Sequence, residues 1–106
     1  MRVQVVSLRR AGRVIPRRAN GLRAAVVVLK PGAVMAWHTT GSREELLIAL
    51  AGQVHVRTAK AQKESQKRKA VIRVGQCAFL PRGTRHCVIN RSMRNARYLY
   101  VTASAA

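Results

Sequence analysis

The chain has 106 residues, of which 21 are Lys or Arg and only 3 are acidic, giving a formal net charge of +18. The acids are Glu44, Glu45 and Glu64 and there is no aspartate, which excludes aspartate-based triads, acid-rich calcium loops and two-metal carboxylate sites. The length suits one domain with a modest core, no apolar run nears the roughly 20 residues of a membrane span, and the start MRVQVVSLRR is charged too early for a signal sequence, so a cytoplasmic protein is expected.

Residues 2–8 alternate well enough for an opening strand, whereas residues 9–21, with Gly12, Pro16, Asn20 and Gly21, read as a loop. Residues 22–30, LRAAVVVLK, form a nearly continuous apolar run of the kind buried in a sandwich core, closed by the Pro31-Gly32 turn. A strand through His38 follows, then a polar loop, a strand over residues 45–50, a turn at Gly52 and a strand through Val56. Trp37 lies on the opposite face from His38 and reads as core or subunit contact. Residues 58–69, TAKAQKESQKRK, are polar and basic and read as a hairpin loop, with a composition that also suits a short helix.

The segment GQCAFLPRGTRHCVIN, residues 75–90, carries the densest signal. Residues 76–80 suit an extended strand, Pro81 sets one backbone angle, and Gly83 supplies the positive φ of a tight corner, so that residues 85–89 run as the next strand. Alternation then places His86, Val88 and Asn90 on one side and Cys87 and Ile89 on the other. Cys77 and Cys87 fall on strands joined by this turn, and without a secretory signal they are expected to be free, buried thiols. Residues 96–102, ARYLYVT, make a last strand, with Tyr98 and Tyr100 sharing a face. Short strands punctuated by Gly and Pro, without a confident helix, predict an all-β sandwich or barrel.

Gly32, His38, Thr40, Glu45 and Gly52, followed by Gly75, Pro81, Gly83, His86 and Asn90, resemble the two motifs of the cupin superfamily. The second set matches G-x5-P-x-G-x2-H-x3-N throughout; the first matches G-x5-H-x-H-x(3–4)-E-x6-G except that Thr40 stands at the second histidine. The resemblance implies a double-stranded β-helix, a jelly-roll barrel, with a metal inside it. It implies His38, Glu45 and His86 as ligands, and homodimer formation. Two imidazoles and one carboxylate suit iron, manganese, nickel or zinc and leave coordination positions open. Thr40, a poor neutral ligand, is expected to bind a metal-bound water or line the pocket. Arg82 and Arg85 flank the corner near His86 and are candidates for holding a carboxylate or phosphate.

Glu44 reads as a surface charge beside Arg43, and His55 as an ordinary strand residue. Three functions are compatible with this pattern: a metal-dependent enzyme of dioxygenase or isomerase type, a non-catalytic barrel binding a small anionic ligand, and a polyanion binder. Against the third, the basic residues are spread throughout without interleaved aromatics or a recognition helix, so nucleic acid is expected to bind through charge alone.

Overall fold

The computed structural model describes residues 2–60 and 63–104. Its strands are β1 (Gly12–Arg13), β2 (Leu22–Leu29), β3 (Val34–Thr39), β4 (Arg43–Ala51), β5 (Gln53–Lys60), β6 (Lys63–Arg73), β7 (Cys77–Leu80), β8 (Thr84–Ile89) and β9 (Ala96–Ser104). Among the described residues no helix is long and apolar enough to cross a membrane.

Two antiparallel sheets pack face to face. One has the order β1-β2-β9-β4-β7 and the other β3-β8-β5-β6. Directly paired residues point to the same face, so the row Val27, Tyr98, Ala49 and the row Ala25, Tyr100, Leu47 look inward from the first sheet. They meet Val54, Val56, Ile72 and Val88 in one apolar cluster. The Val- and Leu-rich composition of β2, β4 and β5 is what supplies these inward side chains.

The strands within the two motif regions fall where the sequence places them, and the turns between them are tied to one another. Gly83 donates its amide to Gly41 O at 2.8 Å, joining the β7–β8 turn to the β3–β4 turn. The positive φ of 76° at Gly83 is the corner that Pro81 and Gly83 predict. Gly32 N donates to Asn90 O at 2.8 Å and Asn90 N to Ala33 O at 3.0 Å, so the start of the first motif is held against the end of the second. Gly52, with φ 68°, packs so closely that an added Cβ would lie 3.0 Å from Asn95 O.

Four expectations are corrected. Residues 2–8 form no strand; Val3 and Val5 are 84% and 94% exposed, and apolar alternation without a neighbouring edge makes no ladder. Residues 9–21 are not all loop, because β1 pairs Gly12 with Val26 and Arg13 with Ala25. Residues 58–69 are largely ladder rather than loop: Thr58 pairs with Arg68 and Lys60 with Lys63, leaving only Ala61 and Gln62 outside the described residues. Finally, both cysteines are free but only Cys87 is buried, Cys77 being exposed. Burial pushes the Cys87 thiol above its ordinary range.

Candidate metal centre

The site lies at one end of the sandwich and draws on both sheets. His38 on β3 and His86 on β8 are direct cross-strand partners, and Glu45 on β4 reaches toward them from the opposite sheet. A β-bulge makes this arrangement: Met35 pairs with Val88 and His38 with His86, so three steps along β3 match two along β8. Strict alternation from the inward-lying Met35 would point Trp37 into the pocket. The extra residue instead turns His38 inward and leaves Trp37 exposed, 5.6 Å beneath the Arg85 guanidinium. Trp37 is therefore not a core residue.

One ligand atom from each of His38, Glu45 and His86 lies within 4.8 Å of the other two. The imidazole centroids are 4.0 Å apart with the rings tilted by 58°. His38 Nδ1 lies 2.8 Å from Ala36 O, and His86 Nδ1 lies 3.2 Å from Thr84 O. A carbonyl only accepts, so each bond places the proton on Nδ1 and leaves Nε2 with its lone pair free, the tautomer a metal ligand requires. His86 is 0% exposed, and its Nε2 lies 3.1 Å from Glu45 Oε2 without a directed hydrogen bond to it. A buried imidazole nitrogen left without a partner beside a buried carboxylate is costly in an apolar interior, and a cation shared by both relieves that cost. The donor set thus fits a divalent transition metal.

Thr40 is buried near these residues, but its hydroxyl is spent on the backbone. Oγ1 donates to Pro81 O at 2.9 Å and accepts from Thr84 N at 3.0 Å, and Thr40 N donates to Thr84 O. Its proton is unavailable to a metal-bound water; the residue clamps the two turns that present His38 and His86. Thr40→Val should lower stability by about 1–3 kcal/mol, read as a fall in Tm of roughly 4–8 °C per kcal/mol, while Thr40→Ser retains most of it. Metal affinity in the folded protein should be little changed in both variants, which equilibrium metal titration checks.

The surrounding cavity holds about 300 Å³. Met35, Leu47 and Val88 form its apolar side, and Tyr98, Tyr100 and Thr102 its polar side. Burial first, with the nearby Glu45 and Tyr100 adding to it, raises the Tyr98 hydroxyl far above its ordinary pKa, so Tyr98 stays a neutral donor. Arg82 and Arg85 are exposed and do not line this cavity. The arginines that do are Arg23 and Arg43. Arg43 is held in place by Thr102 Oγ1 at 2.9 Å, Thr102 O at 3.0 Å and Gly21 O at 3.1 Å. Its alternation with Glu45 along one strand was the available signal. Glu44 is exposed, and His55 lies outside the site, its pKa lowered by burial first and then by the nearby Arg91, Lys69 and Arg73.

Fold and site together define an antiparallel jelly-roll barrel with a two-histidine, one-carboxylate cluster at its mouth. The cupin family model matches residues 14–106, and the chain belongs to that family. Solved cupin structures share the fold. The cupin domain of Schizosaccharomyces pombe Cnp3 is 18% identical with a TM-score of 0.75, the match covering 94% of this chain and 65% of that one. TT1209 from Thermus thermophilus is 26% identical with a TM-score of 0.72, over 89% and 83% of the two chains. Oxalate oxidase in complex with the substrate analogue glycolate is 21% identical with a TM-score of 0.72, over 79% of this chain but 42% of that one. The chain spans about half, 51%, of the similar structure Peruvianin-I. No curated protein sequence matches it.

Proposed function

We propose that this cupin binds one divalent transition metal ion through His38, Glu45 and His86 and holds a small anionic organic molecule beside it. The observation that carries this reading is the pair of histidines whose Nδ1–H groups are both committed to backbone carbonyls, freeing two Nε2 lone pairs beside a buried carboxylate. A bound iron, manganese, nickel or zinc ion supplies Lewis acidity, and for the redox-active metals electron transfer, to chemistry of dioxygenase or isomerase type. The chain's own residues bind and orient the ligand. Arg43 and Arg23 attract its charge, Tyr98 donates a hydrogen bond to one of its oxygens, and Leu47, Met35 and Val88 exclude water. That oxalate oxidase accommodates glycolate supports a small carboxylate as ligand class.

Elemental mass spectrometry of untagged protein tests this, with about one metal ion per chain expected. A metal-free chain that refuses added metal overturns it and leaves a barrel whose histidines contact an organic ligand directly. Binding of nucleic acid belongs to the chain's charge and should vanish with salt.

A second copy of the chain completes the proposal. The outward row Leu46, Phe79 and Val101 and its neighbour Ile48, Cys77 and Leu99 carry no charge, although the chain as a whole is at +18. Leu46 and Phe79, direct partners, are 37% and 56% exposed. Two strongly basic chains repel least where an uncharged face meets an uncharged face, and this face is uncharged. Light scattering should find a dimer, and Leu46→Glu with Phe79→Glu should convert it to a folded monomer.

A further inference from the structure

A second cavity adjoins the metal centre, and its chemistry is different. It holds about 360 Å³, within the size range of small-molecule sites, and is formed where the chain from β1 folds back against β2. Arg13, Arg17 and Arg23 line it, together with Tyr100. Ile15, Pro16 and Leu22 give it an apolar wall.

Main-chain pairing fixes the backbone that brings the three arginines to one recess, and no carboxylate lines it. Arg13 is fixed by the pairing of β1 with β2, Val14 N donates to Ala24 O at 3.0 Å, and the turn carrying Arg17 closes through Ala19 N to Pro16 O at 3.0 Å. Arg23 pairs with Thr102 on β9, whose other neighbour is Glu45. Among the described residues none of the three guanidinium groups makes an ion pair or hydrogen bond with the protein, and Glu45 is already beside His86. Three arginines in one recess without a carboxylate repel one another, so an anion that enters lowers the energy of the free protein as well as gaining its own contacts. A guanidinium matches the oxygens of phosphate in bidentate fashion, and three of them suit a dianion better than a single carboxylate.

This recess and the metal pocket share Arg23 and Tyr100. We infer that the arginine recess is the subsite for the phosphate group of a small phosphorylated molecule, whose other end reaches the pocket of His38, Glu45 and His86. The second half of this inference rests on the function proposed above; the phosphate subsite itself does not. The apolar wall of Ile15, Pro16 and Leu22 and the limited volume favour a small phosphate ester over a nucleic-acid backbone, which needs an extended track of charges.

Calorimetric titration with inorganic phosphate and with glycerol phosphate, at about 150 mM chloride so that distant charges are screened, tests it. One saturable site per chain is expected. The Arg13→Ala/Arg17→Ala/Arg23→Ala variant should weaken binding by about tenfold or more, and Arg17→Ala alone, on a surface turn, should weaken it measurably. A control variant, Arg2→Ala/Arg82→Ala/Arg94→Ala, removes the same charge elsewhere and should bind as the parent does. Equal losses in the two triple variants, or no saturation in the parent, overturn the subsite. Tighter binding of a single-stranded oligonucleotide that both triple variants weaken alike also overturns it. Repeating the titration in His86→Ala separates the two readings: phosphate binding is expected to persist there although the metal is lost, whereas a parent that binds phosphate but takes up no metal overturns the metal centre alone.

Discussion

His86→Ala should empty the metal centre. Against about one ion per parent chain, its metal content after dialysis is expected to fall with an affinity loss on the order of 100-fold or more, since even residues that merely orient a ligand cost ten- to a hundredfold. The reason is geometric. His86 is wholly buried and is positioned between its backbone acceptor at Thr84 and the Glu45 carboxylate at 3.1 Å, so it presents its ring nitrogen already oriented toward the cluster, which a mobile water cannot reproduce. Glu45→Gln should lose nearly as much while preserving shape, because Glu45 is the only negative charge in the cluster, set in a chain at +18. His38→Ala should lose least of the three. His38 sits exposed at the rim, where a water ligand takes its place. His55→Ala, outside the site, should keep its metal. Elemental analysis of each variant, alongside circular dichroism to confirm folding, reads the order; equal metal content in His86→Ala and the parent would sink the assignment.

The legibility of this site in the sequence was uneven for identifiable reasons. The His38–Glu45–His86 cluster is legible through the resemblance to the two cupin motifs, whose glycines and proline, Gly32, Gly52, Pro81 and Gly83, mark turns that are local in sequence. The bulge between Met35 and His38 was not: it inserts one residue into a ladder whose partner strand lies far along the chain, and nothing in AVMAWHTT marks it. Its consequence is the exposure of Trp37. The pocket arginines failed for a similar reason. Arg82 and Arg85 are near His86 in sequence but point outward, whereas Arg23 and Arg43 enter the pocket through the pairing of β2, β9 and β4, a long-range register. The sequence alone suggests a metal-bound water or the pocket as the partner of Thr40, because its actual partners, Pro81 and Thr84, belong to the other motif. In the opposite direction, residues 2–8 show that period-two alternation creates a strand only when an edge is there to receive it.

Asn90→Ala should be the most destabilising single change outside the apolar core. The Asn90 side chain is completely buried and uses both ends. Nδ2 donates to Leu29 O at 2.9 Å and Arg94 O at 2.7 Å, while Oδ1 accepts from Ser92 N at 2.9 Å and Ser92 Oγ at 2.7 Å. It thereby ties the end of β2 to the connection leading into β9, while its backbone holds Gly32 and Ala33. Alanine leaves Leu29 O and Ser92 N without these partners, at a cost of about 2–4 kcal/mol, a sizeable part of the roughly 5–15 kcal/mol that stabilises a domain. The Tm should fall by on the order of 10 °C or more. Asn90→Asp is the sharper test. It keeps the acceptor for Ser92 but directs carboxylate oxygen at two carbonyls where an amide had donated, so it should destabilise at least as much as alanine. An Asn90→Asp protein as stable as the parent would show that the donors are dispensable. Because Asn90 is no part of the ligand cluster, whatever fraction of either variant folds should bind metal as the parent does, which separates a residue that builds the barrel from those that use it.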